Sequence, residues 1–157
     1  MTVCSAMLII LGTDLDPAAV TEAIGLVPSQ AWRKGEQKRV TGEDGKTRFY
    51  ENVYEWGGWK LWLPKEMSRA MSLPEQLEHW LKVMQGRLEE VQVMKAQGHT
   101  VEINCYISSK VYTLYVPSKL QSQLGELGID LEVGFFSARP KPKAKRRRPM
   151  KLPPRSA

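Results

Sequence analysis

The stretch VCSAMLIIL, residues 3–11, is apolar on both of its alternating faces. One set is Met7, Ile9 and Leu11, and the other is Ala6, Leu8 and Ile10. Successive side chains of a strand point to opposite sides of a sheet, so both sides of this strand require cover. Such a pattern is typical of a central strand. We therefore predict that residues 3–11 form the centre of a sheet.

Three helices are predicted from N-cap residues, apolar spacing and terminal glycines. They span residues 16–25, 72–98 and 118–128. Two capping-box pairs are present, Ser72 with Glu75 and Ser118 with Gln121. The long middle helix carries an apolar stripe that consists of Leu73, Leu77, Trp80, Leu81, Met84, Leu88 and Val91. Its Gly86 predicts a kink.

The remaining extended segments predict strands at residues 31–40, 48–56, 59–63, 100–107, 111–116 and 131–135. The turn GEDGK at residues 42–46 predicts a hairpin, because Asp-Gly adopts the positive φ angles that tight turns need. Gly57 and Gly58 predict a break before the next strand. The predicted fold is α+β, a mostly antiparallel twisted sheet with three helices in a two-layer sandwich. Its element order is β-α-β-β-β-α-β-β-α-β, with short connections that favour antiparallel neighbours.

Charge divides the chain at residue 137. Residues 137–157, SARPKPKAKRRRPMKLPPRSA, hold nine of the 23 Lys and Arg residues, five of the ten prolines and no carboxylate side chain. The preceding residues therefore hold 14 cations against 17 carboxylates, although the net charge of the whole chain is +6. Low apolar content and self-repulsion prevent such a tail from folding alone. We predict one globular domain at residues 1–136 and a disordered basic tail at residues 137–157.

The tail is predicted to contact the phosphates of nucleic acid. The cations assigned to this contact are Lys141, Lys143, Lys145, Arg146, Arg147 and Arg148. Two alternatives remain open, attraction to an acidic membrane or protein surface and a role in solubility alone. No stretch is apolar over a length that crosses a bilayer, and the N-terminus lacks the basic region of a secretory signal. We expect a cytoplasmic protein without a membrane span.

The sequence contains no phosphate-binding glycine loop, no nucleophile elbow and no HExxH metal motif. Its histidines, His79 and His99, have no local cluster of metal ligands around them. Cys4 and Cys105 fit neither a zinc spacing nor a disulfide framework, and we predict buried thiols in a reducing environment. We therefore expect no cofactor, no metal and no catalytic residue. A site assembled from distant residues would escape this reasoning.

Four tryptophans lie among several cations in the middle strands, namely Trp32, Trp56, Trp59 and Trp62. Aromatic side chains interleaved with cations on a sheet stack the bases of single-stranded nucleic acid. The alternative is a packing role, which we predict for Trp59 and Trp80. Trp62 points to the opposite side of its strand from Trp59 and is predicted to be partly exposed. We hypothesise a surface site that consists of Arg33, Lys34 and Trp62.

Several short runs resemble a bacterial family catalogued as domain of unknown function 4279. They are LDP at residues 15–17, Thr21, GLVP at 25–28, RKGE at 33–36, GW at 58–59, the leucine-rich long helix and LGIDL at 127–131. The resemblance covers most of residues 3–136 and leaves the basic tail outside. Members often carry an acidic residue before the aromatic of their last strand, where this chain has Gly134 before Phe135. The resemblance implies a small standalone domain with no established activity.

These observations predict a non-enzymatic binding or interaction protein whose basic tail contacts nucleic acid. One alternative is a protein-binding accessory or immunity-type module without a nucleic-acid role. Another is a small-ligand-binding domain, or an enzyme with a dispersed site, in which a pocket lies between the sheet and the long helix.

Overall fold

A computed structural model describes residues 3–41, 44–108 and 113–136, in which the chain forms seven strands and five helices. The strands are β1 (Val3–Gly12), β2 (Gln30–Trp32), β3 (Gln37–Thr41), β4 (Thr47–Val53), β5 (Gly57–Trp62), β6 (Thr100–Ser108) and β7 (Asp130–Phe136). The helices are α1 (Pro17–Ile24), α2 (Lys65–Ala70), α3 (Leu73–Met84), α4 (Leu88–Ala96) and α5 (Ser118–Leu127). Residues 42–43 of the predicted hairpin turn and residues 111–112 of a predicted strand lie outside the described residues. The whole predicted tail, residues 137–157, also lies outside them.

Strand β1 is the centre of a five-stranded sheet with the order β2-β5-β1-β6-β7, which confirms its predicted position. It runs antiparallel to both neighbours, with Met7 opposite Trp62 of β5 and Asn104 of β6. β2 is antiparallel to β5, whereas β7 is parallel to β6. Parallel neighbours need a crossover connection, and α5 provides it between β6 and β7. Strands β3 and β4 form a separate two-stranded hairpin.

One side of the sheet is covered by the helices. Ala6, Leu8 and Ile10 of β1 are fully buried in a core to which apolar residues of all five helices contribute. Trp59 of β5 and Trp80 of α3 are 0% and 2% exposed in this core, which confirms their predicted packing role. Full burial of a large apolar side chain contributes about 1.5–3 kcal/mol, so this layer is the main apolar source of stability.

The other side of the sheet has a different cover. Met7 and Ile9 are also buried, but they lie outside the helix-covered core. Their cover comes from the long side chains of neighbouring strands, since none of the described helices packs there. We call this side of the sheet the open face.

A buried glutamine of α3 completes the hydrogen bonding of β1. β5 reaches only as far as the residue opposite Met7, so no described strand flanks the earlier part of β1 on that side. The fully buried Gln76 accepts a hydrogen bond from the Ala6 amide at 2.8 Å and donates one to the Cys4 carbonyl at 3.1 Å. The Trp80 indole donates to the Ala6 carbonyl at 3.0 Å. Two side chains of α3 therefore take the place of a strand.

The sequence predicted one continuous helix at residues 72–98, and this prediction is wrong because two helices occupy the segment. Gly86 has φ +84°, and the chain forms α3 up to Met84 and α4 from Leu88 onwards. A residue in the left-handed region cannot continue a right-handed helix, so the chain turns at this point instead of kinking. Helix α2 is a further difference, because it is short and its N-cap is Pro64, which gives no side-chain capping signal.

The two predicted capping boxes have different outcomes. Ser72 Oγ accepts a hydrogen bond from the Glu75 amide at 3.4 Å, and Glu75 Oε2 accepts one from the Ser72 amide at 2.6 Å, which confirms the first. The second is wrong, because Ser118 is already the first residue of α5 and Pro117 is the N-cap. Gln121 instead donates to a backbone carbonyl before the helix. None of the described helices is long and apolar enough to cross a membrane.

The sheet also departs from the prediction. Residues 113–116 form no strand, and β7 occupies the place beside β6 that the strand predicted at 111–116 would have needed. The extended segment at 31–40 divides into β2 and β3 at a turn in which Gly35 has φ +86°. The predicted α+β class and mostly antiparallel sheet are therefore confirmed, apart from the parallel β6–β7 pair that makes the sheet mixed. The three predicted helices become five among the described residues, and β3 and β4 form a separate hairpin.

We expect Gln76→Leu to lower the free energy of unfolding by about 3 kcal/mol, because it leaves the Ala6 amide and the Cys4 carbonyl without partners, at about 1–3 kcal/mol each. Urea unfolding followed by circular dichroism measures the change. Gln92 on α4 is exposed, so Gln92→Leu is a matched control with an expected change below about 0.5 kcal/mol. Equal losses from the two substitutions would contradict the role of Gln76.

Candidate functional site

Three aromatic side chains are exposed on the open face. Trp62 of β5 is 45% exposed, Tyr106 of β6 39% and Phe136 of β7 55%. The rings of Tyr106 and Phe136 stack with their centroids 5.6 Å apart. The Trp62 indole N–H is directed at the sulfur of Met7, 3.1 Å away, and its partial exposure confirms the prediction for this residue. Exposed aromatic side chains that share one face are typical of a binding surface.

Carboxylates lie beside these aromatic residues. Glu102 of β6 lies opposite Asp130 of β7, and Asn104 lies opposite Glu132. Burial, and then the negative charges of Glu132 and Asp130, raise the pKa of the Glu102 carboxyl. Asn104 is only 9% exposed, and its Oδ1 has no hydrogen-bond partner among the described residues. This part of the open face therefore favours a ligand that brings positive charge and hydrogen-bond donors.

A cleft of about 470 Å³ lies on the open face between the β3–β4 hairpin and strands β2 and β5. We call it the hairpin cleft. The indole of Trp32 lines it and lies across Gly58, where a Cβ atom would be 2.0 Å from the ring. Gly57 and Gly58 therefore begin β5, whereas the sequence predicted a break at this pair. Gly58 makes room for Trp32, and a Cβ atom at Gly57 would be 2.7 Å from the Leu15 carbonyl oxygen.

Tyr54 holds the hairpin against the sheet. Its ring stacks on Trp32 with the centroids 4.6 Å apart, and its hydroxyl donates to the Arg39 carbonyl at 3.1 Å. Gln30 Nε2 donates to the Tyr54 hydroxyl at 3.2 Å. The Trp32 indole donates to the Trp56 carbonyl at 2.9 Å. Contacts within the protein therefore fix the shape of the hairpin cleft.

The residues of the predicted surface site are divided between two ends of β5. Arg33 and Lys34 lie in the turn after β2, and Arg33 Nη2 is 2.6 Å from the Asp16 carboxylate. The residue before Arg33 pairs with Gly58, and Trp62 lies further along the same strand, at about 13 Å. The structure does not bring these three side chains together.

The histidines lack the partners that acid–base chemistry needs. The ring of His99 packs against Gly12, and its buried Nδ1 has no hydrogen-bond partner in the described part of the chain. His79 meets the ring of Trp80 edge-on. A general base is normally hydrogen-bonded to a group that orients it. Neither histidine has a carboxylate in that position within the described ranges.

Burial raises the pKa of both cysteine thiols, which disfavours the reactive thiolate form. Both are free, and Cys105 is buried whereas Cys4 is half-buried. Burial, and then the neighbouring Cys4, raise the pKa of the Cys105 thiol to about 12, so it stays protonated at neutral pH. Across residues 3–41, 44–108 and 113–136, no group of three or more His, Cys, Asp or Glu side chains could hold a metal ion.

A larger groove of about 570 Å³ runs between α3 and α5. Its charged residues balance, with two carboxylates and two amines, and all four are exposed: Glu78, Lys82, Lys119 and Glu126. Such groups are solvated without a ligand and select none. We therefore place the candidate site on the open face.

The residues that distinguish the open face are only partly visible in the sequence. The alternation of β6 puts Glu102 and Tyr106 on its outward side, a signal that marks them as surface residues. Their neighbours Glu132 and Phe136 come from β7, and the parallel pairing of β6 with β7 has no local signature. Lys60 of β5 also lines the hairpin cleft, and sequence reasoning missed it because the hairpin residues of that cleft are not its neighbours in sequence.

The described residues therefore form an α+β fold with helices on one side of a mixed sheet and an open face on the other. It belongs to the family Domain of unknown function (DUF4279), whose family model matches residues 2–135. This match confirms the resemblance seen in the sequence, and it ends before the basic tail. No curated protein matches the chain, and no solved structure does either.

We expect Glu102→Gln to raise the melting temperature at neutral pH, because ionisation of Glu102 is disfavoured in the folded state. The pKa of the Glu102 carboxyl lies above its ordinary value of 4.5, so the charge destabilises the fold above the folded-state pKa. Below pH 4.5 the carboxyl is protonated in both the folded and the unfolded chain, and the gain should disappear. Calorimetric melting of both proteins across this pH range measures the effect.

A second substitution tests the cause of the gain. Glu132→Gln removes the repulsion between the carboxylates of Glu102 and Glu132, as Glu102→Gln also does. The double substitution should therefore raise the melting temperature by less than the sum of the single changes. Glu126→Gln, at an exposed position of α5, is the matched control and should have little effect. A gain from Glu102→Gln that persists undiminished at acid pH would show that ionisation of Glu102 is not its cause.

Proposed function

We propose that this protein is a non-enzymatic binding protein that holds a cationic protein partner on its open face and contacts nucleic acid through its basic tail. The observation that carries the proposal is the set of exposed aromatic side chains beside the Glu102–Glu132 pair.

The chemistry of the open face supports a partner with Lys or Arg side chains. Tyr106 and Glu102 are on the same side of β6, and Phe136 stacks on Tyr106. A guanidinium or ammonium group can pack on an aromatic ring and bond to a carboxylate at the same time. A positive charge beside Glu102 would offset both the burial and the neighbouring negative charges that raise the pKa of this carboxyl. Aromatic anchors of this kind contribute most of the binding energy of many interfaces.

Nucleic acid is assigned to the tail and not to this part of the open face. Phosphates would be repelled by the carboxylates of Glu102, Asp130 and Glu132. The tail has nine cations and no carboxylate side chain, so its contact with phosphates would release counterions and depend steeply on salt. The alternative of a protein-binding module without a nucleic-acid role predicts no such binding.

We expect the full chain to bind labelled single-stranded DNA with an affinity that falls about 10³-fold between about 50 and 200 mM salt, as for roughly six phosphate contacts. Fluorescence anisotropy measures this binding. A full-length variant with Gln at positions 141, 143, 145, 146, 147 and 148 should lose most of it. Trp62→Ala is the control on the open face and should leave it unchanged. Binding that survives the six tail substitutions would contradict the assignment to the tail.

We expect a labelled arginine-containing peptide to bind the tail-substituted protein, in which six of the nine tail cations can no longer compete for the carboxylates. Tyr106→Ala and Glu132→Gln should each weaken this binding, because they remove an aromatic surface and a negative charge. Anisotropy of the labelled peptide measures it. Glu126→Gln is the matched charge control, and an equal loss from this exposed α5 position would show attraction to the general negative charge of the domain instead of the open face.

A further inference from the structure

The hairpin cleft contains a cation without an anionic partner. Lys60 of β5 lines the cleft, and its Nζ is 5.1 Å from the centroid of the Trp32 ring. Burial lowers the pKa of this amine. The ion pairs of the described residues involve Arg33 and Arg39, and neither includes Lys60. A partly desolvated cation that no carboxylate neutralises is a position at which an anion would be stabilised.

The lining of the hairpin cleft is positive although the domain is not. Lys38, Arg39 and Lys60 line it against one carboxylate, Glu55. Arg39 is paired with Glu36 at 3.1 Å, which leaves two cations against one anion. Residues 1–136 as a whole hold 14 cations against 17 carboxylates. The fold therefore gathers positive charge in this cleft against the average of the domain.

Two exposed rings stand at the same cleft. Tyr50 is 48% exposed and Trp56 is 55% exposed, and both line the cleft. Trp32 and Tyr54 are already stacked on each other, so Tyr50 and Trp56 are the rings with free surface. Asn52 lies between them in sequence and adds an amide that can donate and accept hydrogen bonds.

We propose that the hairpin cleft binds a small organic anion that carries a flat ring, with its anionic group at Lys60 and its ring against Tyr50 or Trp56. The cleft volume of about 470 Å³ is within the range of small-molecule sites, about 300–1,000 Å³. The bonds from Gln30 and Tyr54 fix the hairpin beforehand, which lowers the cost of ordering the site.

This site does not depend on the proposed function of the open face or the tail. Ile9 is the strand partner of Lys60 on one side and of Glu102 on the other, so it separates the cleft from the carboxylates. A ligand in the cleft would therefore meet the positive end of this row of side chains and not the negative one.

The test is calorimetric titration of the full chain with adenosine monophosphate, which combines a flat ring with an anion. Adenosine supplies the ring alone, and inorganic phosphate supplies the anion alone. The monophosphate should bind more tightly than either. Lys60→Gln should weaken its binding about ten- to hundredfold, the effect of one charged hydrogen bond, and Lys60→Arg should restore most of it.

Three controls separate the cleft from general attraction between charges. Lys46→Gln removes the same charge near the hairpin turn, outside the cleft lining, and should leave binding unchanged. Trp56→Ala should weaken binding of the monophosphate but not of phosphate. The variant with six tail substitutions should bind adenosine monophosphate as tightly as the unsubstituted chain does. This keeps the result distinct from that of the nucleic-acid experiment.

Four outcomes would overturn the proposal. They are no binding of the monophosphate, equal losses from Lys60→Gln and Lys46→Gln, loss of binding on tail substitution, and phosphate binding as tight as that of the monophosphate. The circular dichroism spectrum of each variant verifies that the fold is retained, so that a loss of binding is a loss at the site.

Discussion

The hydrogen bonds from Gln76 and Trp80 to the backbone of β1 are the contacts on which the other layers depend. β1 is the central strand, but β5 accompanies it only from Met7 onwards. Because the side chains of α3 bond to the earlier residues, this helix is fixed across β1, and the apolar core forms around it. The other described helices contribute to this same core, on one side of the sheet. The opposite side is left to side chains of the strands and to the hairpin.

This division places two regions of opposite charge on one surface. Lys60, Ile9 and Glu102 form a row across three strands, and the buried Ile9 keeps the amine and the carboxylate apart. Burial disfavours the charged form of both end groups. A surface selected for stability alone would be expected to pair or solvate such groups. Unpaired charges next to exposed rings are instead typical of positions where a ligand or partner completes the environment.

The elements that local chemistry determines could be predicted from the sequence, and those that depend on distant pairing could not. The central strand, the Ser72–Glu75 capping box and the buried Trp59 each follow from residues a few positions apart. The parallel β6–β7 pair depends on how α5 crosses the sheet, so it left no local pattern. Gln76 did leave one, because it lies on the apolar side of its helix between Leu73 and Trp80, where an exposed amide is not expected. Of the three residues proposed for a surface site, only Trp62 lies on the open face.

The position of β1 also has a consequence for synthesis of the protein in a cell. This strand is translated before both of its partners, the strands at Gly57–Trp62 and Thr100–Ser108. Until they emerge, VCSAMLIIL is an apolar segment without charge or proline, the composition from which intermolecular β-sheets grow. Pairing between strands so far apart in sequence is also slow. Shielding of this segment, as chaperones provide, until β5 and β6 have been translated would therefore favour its correct pairing.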